Sequence, residues 1–213
     1  MATVILIHGL GRTARSMRGL ARFLTHAGFD VVLHGYASRR QPMASLVEDL
    51  RTRLDALVQN GAAPVHAVTH SLGGIVLRAL LDAHPDAPIA RTVMLAPPNA
   101  GSEIIDFWRA GTWRRRVFGA MMGEVALSLH TGADSLPNTL SRMPKHDVLV
   151  MTGSRSLEPW FNPLFDEPHD GKVSVSSARL NEQAACVVLP VGHTFIMDDA
   201  RVQKRIKQFL DNS

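Results

Sequence analysis

The chain has 213 residues, enough for one domain with a full core, and 46% hydrophobic with 20% charged residues is ordinary globular composition. Its formal charge of +4 comes from scattered lysines and arginines; apart from the short runs Arg39-Arg40, Arg114-Arg115-Arg116 and Lys204-Arg205 they stand singly, so there is no basic arm and no nucleic-acid partner is expected. The single Cys186 excludes an intrachain disulfide.

From Met1 the chain runs into the apolar stretch Val4–Ile7, which has no basic leader and stops after four residues. That is too short for a signal peptide or a membrane span, so the expectation is a cytoplasmic protein without a transmembrane segment. Val4–Ile7, Val31–Leu33, Val65–Val68, Thr92–Leu95, Val148–Met151 and Cys186–Leu189 each form a nearly continuous apolar run. Such runs predict strands covered by helices on both faces. The amphipathic stretches Arg15–Ala27, Ala44–Asn60, Gly74–Ala83 and Asp199–Leu210 predict helices, with Gly28 and Gly61 as stops after the first two. The alternation implies an α/β fold with a doubly wound, mostly parallel six-stranded sheet in a single domain, 1–213. Cys186, inside the run Ala184–Val188, is expected to be a buried thiol.

The stretch Asn99–His146 breaks the rhythm, being too long for a simple connection. It predicts a helical, cap-like insertion (99–146) between the fourth and fifth strands. Its apolar residues, among them Ile104, Ile105, Trp108, Phe118, Val125 and Leu129, recur at near-helical spacing. The spacing favours a helix packed on the core with a solvated basic edge. The other reading is a lid over a lipid-like chain, with Arg114, Arg115 and Arg116 drawing it to acidic headgroups in a peripheral membrane contact.

The chemistry concentrates in four places. In Val68-Thr69-His70-Ser71-Leu72-Gly73-Gly74 a buried strand runs straight into a helix with a serine at the corner. A serine in that strained corner exposes its Oγ above the sheet, as a nucleophile requires. Thr69 stands two residues before it, where a glycine is usual. His8-Gly9-Leu10-Gly11, at the end of the first strand, supplies a tight loop whose Leu10 N–H, with that of Leu72, would hold an oxyanion. His169-Asp170-Gly171 follows the fifth strand and places Asp170 as the acid; Asp166, Glu167, Asp198 and Asp199 compete with it, and Asp147 falls at the wrong edge of the sheet. Gly192-His193-Thr194, directly after the last strand, places His193 as general base. His70, next to the serine on a strand, is expected to face away from it. Such a site needs neither a metal nor an organic cofactor.

Two rival readings remain. Gly9-x-Gly11-x-x-Ala14 matches a dinucleotide-binding fingerprint. The second strand ends Leu33-His34-Gly35-Tyr36 without the ribose-binding acid, although Arg39 and Arg40 suit a 2′-phosphate. An NADP-binding oxidoreductase would leave the serine corner unexplained. The third reading is a binding protein that keeps the fold and lacks catalysis.

On the segments Ile7–Gly11, Val68–Gly74, Asp170-Gly171 and Gly192–Phe195 the chain resembles the α/β-hydrolase superfamily. Ala96-Pro97-Pro98-Asn99-Ala100-Gly101-Ser102-Glu103 is similar to small bacterial lipase- or esterase-like members, the lipase class 2 and deacylase-like group. The chain order Ser71, Asp170, His193 is that superfamily's order. The resemblance implies a minimal sheet lacking the superfamily's first two strands, and hydrolysis of a carboxylic ester, small or lipid-like, through an acyl-enzyme on Ser71. The superfamily also holds thioesterases, amidases, acyltransferases and members without catalysis, and fold alone does not choose among them. No pattern specifies an oligomeric state.

Overall fold

The structure, a computed structural model, describes residues 1–140, 144–181 and 184–211. Six parallel strands form one sheet: β1 (Thr3–Ile7), β2 (Asp30–His34), β3 (Val65–His70), β4 (Arg91–Leu95), β5 (Asp147–Gly153) and β6 (Ala185–Leu189), in the order β2-β1-β3-β4-β5-β6. The chain moves outward from β1 to β2, then returns to the far side of β1 as β3. Strand order therefore reverses between β1 and β3, and a crevice opens beyond their carboxyl ends.

Alternation along the strands divides the core. Val4 and Leu6 face α1 (Arg18–His26) and α9 (Ala200–Asp211), whereas Ile5 and Ile7 face α2 (Met43–Gln59) and α3 (Leu72–Ala83). The helices answer with residues four apart: Leu20 and Leu24 on α1, Leu46, Leu50 and Leu54 on α2, and Val202, Ile206 and Leu210 on α9, all buried. Each fully buried leucine of this kind contributes roughly 1.5–3 kcal/mol. Helices α1 and α2 end as the sequence indicates. Phe29 N–H donates to Leu24 O and Gly28 N–H to Thr25 O, with the same pair of bonds at Ala62 and Gly61.

β6 departs from the expectation. Ala185 and Val188 are exposed and Cys186 is only half-buried, not the buried thiol expected from its apolar neighbours. The run is apolar, but β6 is an edge strand with a neighbour on one side only. Partial burial still raises the Cys186 pKa above that of an ordinary thiol, which disfavours the thiolate.

Between β4 and β5 stand α4 (Glu103–Arg109), α5 (Thr112–Met122), α6 (Glu124–Leu127) and α7 (Leu136–Thr139), and between β5 and β6 the short α8 (Val175–Ala178); residues 141–143 lie outside those described. Gly111 and Gly123, at φ 98° and 85°, separate α4, α5 and α6, so the apolar stripe is not one helix. Its ends behave as core: Ile105, Val125 and Leu129 pack with α3. Its middle does not, since α5 has no buried residue and Trp113 is 73% exposed. The stretch is tied down by Arg78 of α3, whose buried guanidinium donates to the carbonyls of Asn99, Pro137 and Leu140. Among the described residues no helix is long and apolar enough to cross a membrane.

Candidate active site

Ser71 sits between β3 and α3 at φ 52°, ψ −122°, a region that non-glycine residues enter only under strain. Its N–H is held by Leu95 O at 2.9 Å, which fixes the corner to β4. Glycines on both sides let backbones meet there. A Cβ on Gly73 would lie 2.7 Å from Ile7 O and 2.8 Å from His8 O, so α3 starts directly against the end of β1. A Cβ on Gly9 would lie 3.1 Å from Ser71 Cβ, so the loop after β1 passes beside the serine. This packing accounts for Gly9, and a left-handed backbone at φ 66° accounts for Gly11, without a dinucleotide.

That loop is braced from behind. His8 Nδ1 lies 2.9 Å from Gly9 O, a pure acceptor, and His8 Nε2 lies 3.3 Å from the Tyr36 N–H, a pure donor. The two contacts together specify the neutral ring with its proton on Nδ1. Burial, its largest influence, lowers the His8 pKa in the same sense. Tyr36 stacks on His8 at 4.2 Å and donates its hydroxyl to His8 O at 2.6 Å. Leu10 lines the cavity in front of Ser71, and Leu72 is the first residue of α3, where a helix leaves its N–H groups free. Among the described residues neither the Leu10 nor the Leu72 N–H has a backbone acceptor outside the regular elements.

His193 and Asp170 are far apart in sequence and joined in space. Asp170 is fully buried; its Oδ2 accepts from His193 Nδ1 at 2.8 Å, while Oδ1 accepts from the N–H groups of Lys172 and Val173, each at 2.9 Å. His193 N–H returns a bond to Asp170 O at 2.9 Å. With Nδ1 engaged, Nε2 is the ring nitrogen left for a substrate or nucleophile. The Asp170 loop can approach because Gly153 ends β5: a Cβ there would lie 2.8 Å from Asp170 Cβ and 2.1 Å from Val191 O. Ser102 Oγ pins the same loop by donating to Lys172 O at 2.6 Å.

Two of the competing carboxylates, Asp199 and Glu167, are engaged elsewhere, as is Asp147. Asp199 accepts from the N–H groups of Arg201 and Val202 at the start of α9. Glu167 accepts from Ser176, and Asp147 pairs with Arg91 at 3.6 Å at the opposite end of the sheet.

Ser71, His193 and Leu10 line one cavity of about 290 Å³, walled mainly by apolar side chains, among them Ile104, Ile105, Trp108, Phe118, Leu129 and Phe161. Concave apolar pockets with a few converging polar groups are the usual form of a small-molecule site.

His70 corrects an expectation. It does not face away from the site: it lines the same cavity, with its ring 5.0 Å from that of His193 and its Nε2 3.0 Å from His193 O. The chain leaves strand geometry at Ser71, so the alternation rule fails at that corner. The carbonyl makes Nε2 the protonated nitrogen, and burial, followed by the proximity of His193, holds the His70 pKa well below the ordinary value. His70 is thus a neutral strut under His193. Sequence reasoning also missed Arg12, Lys172, Thr194 and Phe161 as cavity residues. Only their spacing signalled two of them: Arg12 follows Leu10 by two residues, and Lys172 follows Asp170 by two.

Comparison with known proteins agrees with the fold. Residues 1–151 match the profile of the hydrolase family described as serine aminopeptidase, S33. The lysosomal thioesterase PPT2-B of Xenopus laevis is 29% identical over 104 residues, 46% of this chain and 36% of that protein. The human lysosomal thioesterase PPT2 is 33% identical over 103 residues, again 46% of this chain, and 34% of its own length. The match thus spans about a third of these curated relatives. Among solved structures, the mature lipase BlEst2 of Bacillus licheniformis superposes with a TM-score of 0.78 at 19% identity, covering 98% of this chain and 91% of that one. The metagenomic carboxyl esterase MGS0156 gives 0.80 at 17%, covering 100% and 76%. At such identities the likeness is one of fold.

Proposed function

The chain belongs to the serine aminopeptidase S33 family of hydrolases, and from that membership we propose that it hydrolyses carboxylic esters through an acyl-enzyme on Ser71. One observation carries the reading: a strained serine at a strand–helix corner shares a cavity with an imidazole whose far nitrogen is bonded, at 2.8 Å, to a fully buried carboxylate.

Ser71 Oγ attacks the acyl carbon while His193 Nε2 takes its proton. Asp170 keeps the imidazole in the right tautomer and stabilises the imidazolium without itself taking the proton. The carbonyl oxygen, now an oxyanion, is held by the Leu10 and Leu72 N–H groups, each worth about 3 kcal/mol of barrier in sites of this kind. The tetrahedral intermediate collapses, the ester bond breaks and His193 protonates the departing oxygen. Water, deprotonated by His193, then releases the acid and restores Ser71. The stretch 99–146 serves as a cap of the single domain, contributing Ile104, Ile105, Trp108 and Phe118 as an acyl-side wall.

A fluorophosphonate probe should label the native protein and fail on Ser71→Ala; an unlabelled native protein, folded by circular dichroism, would overturn the reading. Thioester hydrolysis is the second reading, favoured by the likeness to lysosomal thioesterases. Oxygen and sulfur esters of the same acyl chain, compared by kcat/KM, separate the two.

A further inference from the structure

Building on the esterase reading of this site, we propose that Arg12 selects substrates whose leaving group carries a negative charge, a carboxylate or a phosphate. The cavity is apolar over most of its wall, yet two cationic side chains line it, Arg12 and Lys172. They are not equivalent. Lys172 Nζ is neutralised by Glu158 Oε1 at 2.5 Å. Arg12 has no carboxylate within ion-pair distance among the described residues. Its Nη1 donates to Thr194 O at 2.6 Å, and its guanidinium carbon lies 5.8 Å from the centre of the Phe195 ring. A guanidinium held this way by one nitrogen keeps further N–H donors in a fork suited to an oxyanion.

Its position assigns it to one part of the substrate. His193 must deliver a proton to the departing oxygen, so the leaving group lies on the His193 side of Ser71. Thr194 is the next residue, and Arg12 grips its carbonyl. The acyl chain is left the apolar side, against Ile104, Ile105, Trp108 and Phe118. The charge on the leaving group takes no part in bond making; it is a handle that Arg12 holds in a largely apolar cavity, where a charge-assisted pair is stronger than in water.

The test compares p-nitrophenyl butyrate with 3-carboxy-4-nitrophenyl butyrate, each rate divided by the spontaneous hydrolysis rate of that ester. The native protein should favour the carboxylated ester in kcat/KM by about tenfold at low ionic strength, with the preference shrinking as salt rises. Arg12→Gln, which removes the charge but keeps a polar side chain, should bring the ratio close to one, and Arg12→Lys should keep most of it. A p-nitrophenyl ester with a phosphate in place of the carboxylate should lose its advantage in the same variant. Both butyrates hydrolysed with equal efficiency by the native protein, or a ratio unchanged in Arg12→Gln, would overturn the proposal while leaving the esterase reading intact. Hydrolysis of neither would overturn both. The salt dependence needs no variant, so the proposal stays exposed to refutation even if Arg12→Gln fails to fold.

Discussion

Asp170 and His193 are joined twice, side chain to side chain at 2.8 Å and main chain to main chain at 2.9 Å. The doubled connection fixes the orientation of the buried imidazole. Asp170→Asn should keep the fold, because an amide oxygen can still accept from the Lys172 and Val173 N–H groups. Its NH2 group would face His193 Nδ1 and force the wrong tautomer. We expect kcat toward an activated ester to fall by about three to four orders of magnitude, with an unchanged circular dichroism spectrum. A loss below tenfold would remove Asp170 from the mechanism.

The Ser71 backbone provides a test that needs no substrate. At φ 52° any side chain with a Cβ is strained, and glycine is not. Ser71→Gly should therefore be more stable than Ser71→Ala by about 1 kcal/mol, with a correspondingly higher urea midpoint. Equal stabilities would mean that the strain at the corner is no larger than the entropy that glycine loses on folding.

Acid should weaken the fold through its buried histidines. Burial, the largest influence, pushes the His34 pKa from 6.5 down to about 4, and it lowers those of His8, His66, His70 and His146 in the same direction. Between those two values the unfolded chain binds a proton at residue 34 that the folded chain refuses. The contribution is complete above pH 6.5 and is lost as the pH falls toward 4, amounting to about 3 kcal/mol for His34 alone. Urea midpoints taken at intervals from about pH 7 to about pH 4 should decline steadily. A flat profile down to about pH 5 would contradict the burial argument.

Arg78 should matter to the 99–146 stretch more than to the sheet. It is buried, with its pKa lowered to about 10 chiefly by desolvation, and it satisfies three carbonyls from that stretch. Arg78→Met should leave those carbonyls without donors and cost about 3 kcal/mol. Limited proteolysis should then cut first between residues 99 and 140. Cleavage confined to other loops would show that the stretch is anchored by its apolar contacts alone.

The sheet was legible in the sequence because a strand covered on both faces must be apolar throughout, and β1, β3 and β4 are buried along nearly their whole length. Residue order along a parallel sheet also places strand ends, so Ser71, Asp170 and His193 could be named from position. What resisted was anything fixed by the path of a loop. The contact of Asp170 with His193 depends on the missing side chain of Gly153, which reads in sequence as an ordinary strand end. His70 was misjudged because alternation holds only while the backbone remains extended. The burial of Cys186 was misjudged because edge position depends on strand order, which local hydrophobicity does not encode. Gly111 and Gly123 interrupt what spacing alone presents as one stripe.

Helix α5 gives Phe118 and Met122 to the cavity wall yet has no fully buried residue, Phe118 alone resting against the edge of the core. Selection can therefore act on that wall as a detachable panel: substitutions along α5 can widen or narrow the chamber while the sheet and its flanking helices keep their own packing. Homologues that differ in acyl preference should then diverge most between residues 112 and 122, with little change in melting temperature.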